Sequence, residues 1–335
     1  MTPKRPKAAL FYDYPPEDGE VFGRGRRERI AGLSELYPEV VTGETFDRHA
    51  GNLAEVEVIF ATWGLPKFTE HHFARLPNLK AVFYAAGNVR AFAAPLVERD
   101  IVLVSAWDIN AIPAAEMCLS QILLSLRGYF RSLRGYREIG TAEAKGFPRA
   151  GVFGETVGLI GLGKIGTRLR RLLAGFPLQV IAHDPFLSAE RAAELKVESV
   201  ALEEIFRRAL VVSNHVPDLA STRGLLTGRH FESLREGATF INTGRGAQVV
   251  EGDLIRVLTA RPDLTALLDV TWPEPPAGDS PLWSLSNVLI SPHIGGTIGD
   301  EVVRLADCAI EEFEAWISGR PLRYRVTAEV LATMG

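Results

Sequence analysis

Apolar and polar positions alternate along this chain in two distinct ways. Short continuous apolar runs predict buried strands, and between them apolar residues recur every three or four positions, which predicts helices. In the second half the predicted strands are Val157–Ile160, Leu178–Asp184, Leu210–His215, Ala238–Thr243, Leu264–Val270 and Val288–Ser291. The predicted helices between them include Ala189–Leu195, Leu202–Ala209 and Gly252–Thr259. This alternation predicts a parallel sheet with helices on both faces.

The first half repeats the theme, with predicted strands at Ala8–Tyr12, Val56–Thr62, Leu79–Ala85 and Ile101–Val104. We therefore predict an α/β fold of two Rossmann-like or flavodoxin-like doubly wound parallel-sheet domains separated by a cleft. A long amphipathic helix from Ala114 to about Arg134 connects them, and Thr141–Gly154 is predicted to be a loop before the next strand.

The C-terminal segment Asp300–Ile317 has helical periodicity. It follows the last strand of a sheet that is already complete, so the economical interpretation is that the chain returns to the first domain. We predict a discontinuous first domain, residues 1–106 with 300–335, and a second domain, residues 107–299.

Composition narrows the possible functions. The net charge of −4 argues against a nucleic-acid partner, for which a basic surface is expected. No run of 18 apolar residues occurs and the basic N-terminus lacks a long apolar core, so we expect neither a membrane span nor a secretory signal. Cys118 and Cys308 lie in helical apolar patterns, which favours a reduced, cytoplasmic protein without a structural metal.

The most specific motif is a G-x-G-x-x-G turn directly after the strand Val157–Ile160. Gly161 would permit the tight turn, Gly163 would let backbone N–H groups approach a pyrophosphate, and Gly166 would let helix and strand pack closely. A glycine turn alone is weak evidence, because an ordinary strand–helix turn can look the same. Here it predicts dinucleotide binding, because an acid ends the next strand at the expected distance.

That acid, Asp184, also predicts which dinucleotide binds. A carboxylate accepts hydrogen bonds from a ribose 2′-hydroxyl but repels a 2′-phosphate, and no arginine follows Asp184 directly. We therefore expect NAD rather than NADP, with residues 107–299 as the NAD-binding domain.

Three residues at predicted strand ends could carry chemistry. Arg245 follows an apolar strand, and its guanidinium could bind the carboxylate and carbonyl oxygens of a 2-oxo acid together. Glu274 lies between prolines, and His293 follows the last strand, so the two could form a carboxylate–histidine acid–base pair. The alternative interpretation is that Arg245 is a surface arginine, Glu274 a solvated loop carboxylate and His293 a structural histidine.

Several ordered pieces resemble the D-isomer-specific 2-hydroxyacid dehydrogenase family. They are Ala115-Glu116, the glycine turn, Asp184, Asn214 to Pro217 with Thr222 to Gly224, Asn242 to Gly246, Asp269 to Pro275, and Pro292 to Gly296. The resemblance covers roughly Val56 to Trp316 and is weak over the first fifty residues.

The resemblance implies NAD-dependent reduction of a 2-oxo acid to a D-2-hydroxy acid, and the reverse reaction. Arg245 would anchor the substrate carboxylate, His293 would give and take the proton, and Glu274 would hold His293. Residues implied along the cofactor are Lys164, Ile165, Pro217, Thr222, Thr243 and Asp269, with His215 as a neighbour of the cofactor rather than an acid. A homodimer formed through the linking helix is also implied.

The substrate end departs from the family pattern. The loop that usually reads Gly-x-Gly-Val-Asp is Ala85-Ala86-Gly87-Asn88-Val89-Arg90 here, with a cation near the place of the acid. Candidate substrate contacts are Gly87, Asn88, Val89, Arg90, Trp63 and Asn110. The alternative is that Arg90 is solvated and that Trp63 fills a gap.

Two other functions remain open. An NAD-sensing binding protein, as in the C-terminal-binding corepressors, would keep the same three residues. A sibling dehydrogenase for formate or phosphite shares the fold, although formate enzymes carry glutamine where Glu274 stands. Turnover of NADH with a panel of 2-oxo acids would discriminate among these functions.

Overall fold

The computed structural model describes residues 5–13, 20–139 and 151–333. The chain divides into two compact units, Met1–Asn110 with Thr297–Gly335, and Ala111–Gly296. The boundaries fall a few residues from the predicted ones. Trp107 and Ile109 pack against the cores of the first unit, and Asn110 Oδ1 accepts a hydrogen bond from the Thr297 N–H at 3.0 Å. The first turn of the linking helix therefore belongs with the first unit.

The first unit is built on a five-stranded sheet. Its strands are β1 Lys7–Phe11, β2 Glu35–Val41, β3 Val58–Ala61, β4 Ala81–Tyr84 and β5 Val102–Ser105. They are parallel and lie in the order β2-β1-β3-β4-β5, which is the flavodoxin-like order. Strands β3 and β4 are buried along their whole length, which explains their continuous apolar sequence.

Strand β2 was not predicted, because glutamates and Pro38 interrupt its apolar residues. Proline cannot donate a ladder hydrogen bond and is tolerated mainly on edge strands, and β2 is an edge strand. The register is irregular there, since Ala8 pairs with Leu36 whereas Leu10 pairs with Val40.

Helices cover the first sheet. Those before β5 are α1 Arg26–Leu33, α2 Phe46–Leu53, α3 Glu70–Arg75 and α4 Ala93–Val97, and those near the C-terminus are α12 Val303–Ile317 and α13 Ala328–Thr333. Helix α12 contributes Phe313, whose ring lies 5.0 Å from that of Phe60 and 5.4 Å from that of Phe83. Helix α12 thus completes the core of the first unit.

The second unit contains a seven-stranded parallel sheet. Its strands are β6 Thr156–Ile160, β7 Gln179–His183, β8 Glu198–Ser199, β9 Val211–Asn214, β10 Thr239–Asn242, β11 Thr265–Leu268 and β12 Val288–Ile290. Their order, β12-β11-β10-β9-β6-β7-β8, reverses between β6 and β9 as in a Rossmann fold. Ligands of such sheets bind outside the carboxyl ends of the strands at this reversal.

The helices of this unit are α5 Trp107–Leu126, α6 Tyr129–Ile139, α7 Lys164–Leu172, α8 Ala189–Leu195, α9 Leu202–Arg208, α10 Gly228–Glu232 and α11 Glu251–Ala260. The prediction of one linking helix from Ala114 to Arg134 was wrong. The chain forms α5 and α6 with a break at Gly128, whose φ of +65° lies in the left-handed region. Residues 141–150 of the predicted loop lie outside the described residues.

Among the described residues, α5 alone is long and apolar enough to cross a membrane. Ala115, Cys118, Ile122 and Leu126 of this helix pack into the core of the second unit. The core helix of a globular domain meets the same criterion of length and composition.

Candidate active site

The glycine turn joins β6 to α7 with the geometry that its sequence predicts. Gly161 has a φ of +88°, and a Cβ there would lie 3.0 Å from the carbonyl oxygen of His215. A Cβ on Gly166 would lie 2.1 Å from the Gly161 oxygen, so only glycine allows this helix to approach the strand. Gly163 faces open space and precedes the first turn of α7, which has no side-chain cap. This turn therefore fits the pyrophosphate of a dinucleotide.

Asp184 lies directly after β7 and faces this turn. Its Oδ2 accepts a hydrogen bond from the Leu162 N–H at 2.7 Å, and its Oδ1 accepts one from the Phe186 N–H at 2.9 Å. A carboxylate offers about four lone-pair sites, so acceptor capacity remains for a ribose hydroxyl. The same side chain thus braces the glycine turn and can select the sugar.

His215 directly follows β9, and its backbone carbonyl lies beside Gly161. Its Nε2 lies 3.0 Å from Ser213 Oγ, and its Nδ1 is buried without a partner among the described residues. Burial lowers the pKa of His215 to about 4, so the ring is neutral near pH 7. A neutral, buried imidazole at this place suits a cofactor neighbour and does not suit a proton donor.

Two predicted cofactor contacts are already engaged within the protein. Thr222 Oγ1 donates to the Pro217 carbonyl at 2.6 Å and accepts from the Leu219 N–H at 2.9 Å, so its hydroxyl shapes its own loop. Thr243 Oγ1 lies 3.2 Å from Cys118 Sγ. Lys164 and Ile165, which were predicted to line the pyrophosphate from the glycine turn, form the first turn of α7.

Arg245 lies in the loop after β10, where Gly246 makes a close approach possible. A Cβ on Gly246 would lie 2.0 Å from the carbonyl carbon of Thr271. Arg245 Nη1 donates to the Gly244 carbonyl at 2.7 Å. Burial lowers the pKa of Arg245, while the nearby charges of Glu274 and Asp218 oppose that shift. The guanidinium remains charged in a poorly hydrated place, which strengthens its attraction for a carboxylate.

Glu274 and His293 form the pair that the sequence predicts. The side chains are partly exposed, and His293 Nδ1 lies 2.6 Å from Glu274 Oε1. Because Glu274 occupies Nδ1, the other ring nitrogen, Nε2, is the one that can exchange a proton with a substrate. The flanking peptide bonds Trp272–Pro273 and Glu274–Pro275 are cis.

The structure gives Asp269 a role that the sequence did not reveal. This carboxylate is 2% exposed, and it accepts three hydrogen bonds from the turn around His293. Oδ1 accepts from Ser291 Oγ at 2.6 Å and from the Ile294 N–H at 2.9 Å, and Oδ2 accepts from the Gly295 N–H at 2.8 Å. Asp269 therefore holds the turn that contains His293.

The candidate substrate residues of the first unit lie near the carboxyl ends of its strands. Asn88 Oδ1 accepts from the Arg90 N–H at 2.9 Å, so Asn88 shapes the loop, and the Val89 side chain is buried in the core. Trp63 is partly buried against both hydrophobic clusters of the unit, which supports the gap-filling reading. A Cβ on Gly87 would lie 3.1 Å from Asn110 Nδ2, so these two candidates are neighbours.

The second unit thus combines a Rossmann sheet, an anion-binding glycine turn, an arginine and a carboxylate–histidine pair at strand ends. This combination is typical of the nucleotide-binding domains of two-domain α/β proteins. Residues 119–295 match the sequence profile described as "D-isomer specific 2-hydroxyacid dehydrogenase, NAD binding domain". The chain belongs to the D-isomer-specific 2-hydroxyacid dehydrogenase family, whose cofactor, NAD, is the one predicted from Asp184.

Curated relatives agree with this assignment. A D-3-phosphoglycerate dehydrogenase of Archaeoglobus fulgidus is 32% identical over 229 residues, which are 68% of this chain and 43% of the relative. One from Mycobacterium tuberculosis is 32% identical over 249 residues, 73% of this chain and 46% of the relative. The chain therefore spans under half the length of these relatives.

Solved structures confirm the fold of two parallel-sheet α/β domains. Apo D-mandelate dehydrogenase of Rhodotorula graminis has a TM-score of 0.79 and 22% identity, with 96% of this chain and 97% of that chain covered. A phosphoglycerate oxidoreductase from Rhizobium etli has a TM-score of 0.77 and 24% identity, with 98% and 100% covered.

Proposed function

We propose that this protein reduces a 2-oxo acid to a D-2-hydroxy acid with NADH, and catalyses the reverse oxidation with NAD. The observation that carries the proposal is the 2.6 Å contact between His293 and Glu274, at the edge of the sheet where β11 and β12 end. Arg245 follows the adjacent strand β10 at the same edge. A proton donor and a carboxylate anchor therefore lie in one unit with the glycine turn.

The residues divide the chemistry between them. Arg245 binds the carboxylate of the 2-oxo acid and polarises its carbonyl group. NADH, when bound, supplies the hydride that C2 of the substrate accepts. His293 Nε2 gives its proton to the carbonyl oxygen, which becomes the hydroxyl group of the product, and His293 is left neutral. Glu274 accepts the hydrogen bond from Nδ1–H and thereby determines that Nε2 is the ring nitrogen that exchanges the proton.

The residues described in the second unit would hold the cofactor. The glycine turn and the first turn of α7, with Lys164 and Ile165, would meet the pyrophosphate, and Asp184 would meet the adenosine ribose. The loop containing Pro217 and Thr222 would line the same cofactor. Their fit is supported by the open space at Gly163 and the remaining acceptor capacity of Asp184.

The substrate class, assembly and location are proposed with the activity. The relatives and solved structures named above act on different 2-hydroxy acids by name, so we propose a small 2-oxo or 2-hydroxy acid as the substrate class. A homodimer would use the linking helices, and exposed Leu124, Tyr129, Leu133 and Tyr136 on α5 and α6 support this. Two buried free cysteines agree with a cytoplasmic location, and neither nucleic acid nor membrane is a proposed partner.

Turnover of NADH with a panel of 2-oxo acids tests the proposal. We expect catalytic reduction of at least one member, and His293→Ala should lower kcat by roughly 10²- to 10⁴-fold while NADH affinity is retained. His71→Ala is the matched control. His71 belongs to the first unit, and its Nε2 lies 2.5 Å from Asp47 Oδ1 in a similar histidine–carboxylate pair. Tight NADH binding without turnover of any 2-oxo acid would instead indicate an NAD-sensing binding protein.

A further inference from the structure

Two loops of the second unit share one buried group of amide side chains. We call Asn214, Asn242 and Gln248 the carboxamide cluster; their exposures are 0%, 1% and 0%. Asn214 and Asn242 end the adjacent strands β9 and β10. The loop after β9 contains Pro217 and Thr222, and the loop after β10 contains Arg245.

At the first loop, the cluster binds both backbone polar groups of Val216. Asn214 Oδ1 accepts from the Val216 N–H at 3.3 Å, and Gln248 Nε2 donates to the Val216 carbonyl. Val216 directly precedes Pro217, so these contacts determine where the cofactor loop begins.

At the second loop, the cluster binds both backbone polar groups of Arg245. The Arg245 N–H donates to Gln248 Oε1 at 3.2 Å, and Asn242 Nδ2 donates to the Arg245 carbonyl at 3.2 Å. Asn214 Nδ2 completes the cluster by donating to Gln248 Oε1 at 2.6 Å and to Asn242 Oδ1 at 3.0 Å. Within the carboxamide cluster, Asn214 contacts the backbone of Val216, Asn242 contacts that of Arg245, and Gln248 contacts both.

The packing around the cluster leaves little room for adjustment. A Cβ on Gly244 would lie 2.9 Å from Gln248 Oε1 and 3.1 Å from Asn214 Nδ2. If either loop moved alone, a buried donor or acceptor would lose its partner, and this is strongly unfavourable. The two loops are thus expected to move together or not at all.

We infer that Gln248 is a positioning residue that couples the cofactor loop to the substrate anchor Arg245. The inference rests on the proposed function for the role of Arg245. Binding of NADH to the first loop orders Arg245, and binding of a 2-oxo acid at Arg245 orders the cofactor loop in return. Such a coupling must be reciprocal in the binding free energies.

The coupling is measured as the ratio of the NADH dissociation constants without and with saturating oxamate, an unreactive analogue of a 2-oxo acid. We expect oxamate to tighten NADH binding at least roughly fivefold in the parent protein. In Gln248→Leu this ratio should fall towards one, because the link between the two loops is removed.

The matched control is Asn287→Leu. Asn287 is also a buried amide, 2% exposed, and donates to the carbonyls of Leu258 at 2.9 Å and Arg261 at 3.2 Å. It directly precedes β12 and so lies at the amino ends of the parallel strands, whereas the candidate active site lies at their carboxyl ends. This variant should lose thermal stability yet keep the parent's coupling ratio.

A second variant, Gln248→Glu, keeps the test independent of folding losses. A protonated carboxyl group offers one acceptor and one O–H donor, like the amide, whereas a carboxylate would face the Val216 carbonyl with a negative charge. The coupling ratio of Gln248→Glu is compared with that of the parent at each pH. It should equal the parent's ratio at low pH and fall towards one as pH rises. A buried carboxylate is disfavoured, so the loss should occur above the usual titration range of glutamate.

The outcomes separate the two proposals. A parent protein that reduces no 2-oxo acid overturns the proposed function. A parent that turns over, while Gln248→Leu or Gln248→Glu keeps the full coupling ratio at every pH, overturns the role of Gln248 alone. The absence of any effect of oxamate on NADH binding to an active parent would also overturn it.

Discussion

Replacing Asp269 with asparagine tests how the His293 turn is held. His293 has a φ of 54°, in the left-handed region that a non-glycine residue occupies at a cost of about 1–2 kcal/mol. The three hydrogen bonds accepted by Asp269 offset that cost. Asparagine has the same shape but only one acceptor oxygen, so its amide N–H group must face one of the three donors.

The best orientation of the asparagine keeps its oxygen towards Ser291 and Ile294. Its NH₂ group then faces the Gly295 N–H, which donates to Oδ2 at 2.8 Å in the parent. A hydrogen bond to a charged group contributes about 1.5–3 kcal/mol. If the misaligned His293 raises the activation free energy of proton transfer by this amount, kcat should fall roughly tenfold to a hundredfold.

The assay is steady-state oxidation of NADH with the preferred 2-oxo acid, together with thermal unfolding of each variant. Asp263→Asn is the control, because Asp263 Oδ2 likewise accepts a backbone hydrogen bond, from the Gly237 N–H at 3.0 Å, away from the candidate active site. Both variants should be less stable than the parent, and only Asp269→Asn should lose kcat. Equal kcat values in Asp269→Asn and the parent, with a similar loss of stability in both variants, would refute the positioning role.

Further predictions concern the cofactor, the substrate and the thiols. NADH should be preferred over NADPH by at least roughly tenfold, about 1.4 kcal/mol, and Asp184→Ser with Pro185→Arg should relax this preference; equal use by the parent would contradict it. If Arg90 attracts a second anionic group, Arg90→Ala should lower kcat/KM for oxaloacetate or a phosphorylated 2-oxo acid but not for pyruvate, whereas a uniform effect returns Arg90 to the solvated surface. Burial raises the pKa of Cys118 to about 11 and that of Cys308 to about 12, so the native protein should react with a thiol-disulfide reagent at about pH 8 far more slowly than the unfolded chain. Rapid titration of both native thiols would contradict this burial.

Much of the second unit could be predicted from sequence because its signals are local. Continuous apolar runs identify strands that are buried on both faces, and the glycine turn requires particular residues at fixed spacing. Arg245, Glu274 and His293 were found because each lies within a few residues of the end of a predicted apolar strand, and such strand ends meet at one edge of a parallel sheet. The structure places the Glu274–His293 contact as predicted, while the catalytic roles of these residues remain a proposal.

The features that sequence analysis missed depend on tertiary contacts. Strand β2 contains Pro38 and glutamates, which its edge position tolerates but its sequence pattern conceals. The break between α5 and α6 depends on the positive φ of Gly128. A glycine within an apolar helical pattern does not by itself indicate that the helix ends there. The partners of the Asp269 side chain lie on the loop around His293, and Gln248 contacts Val216 on the loop after β9, so no pattern along the chain identifies their roles.

The most direct test of the central claim follows one hydrogen atom and the configuration of the product. The protein is supplied with NADH carrying deuterium at the transferred position of the nicotinamide and with its preferred 2-oxo acid, and the product is analysed by chiral chromatography and mass spectrometry. The account predicts a D-2-hydroxy acid with deuterium at C2, whose formation is lost in His293→Ala. An L-2-hydroxy acid, a product without deuterium, or unchanged turnover in His293→Ala would contradict it.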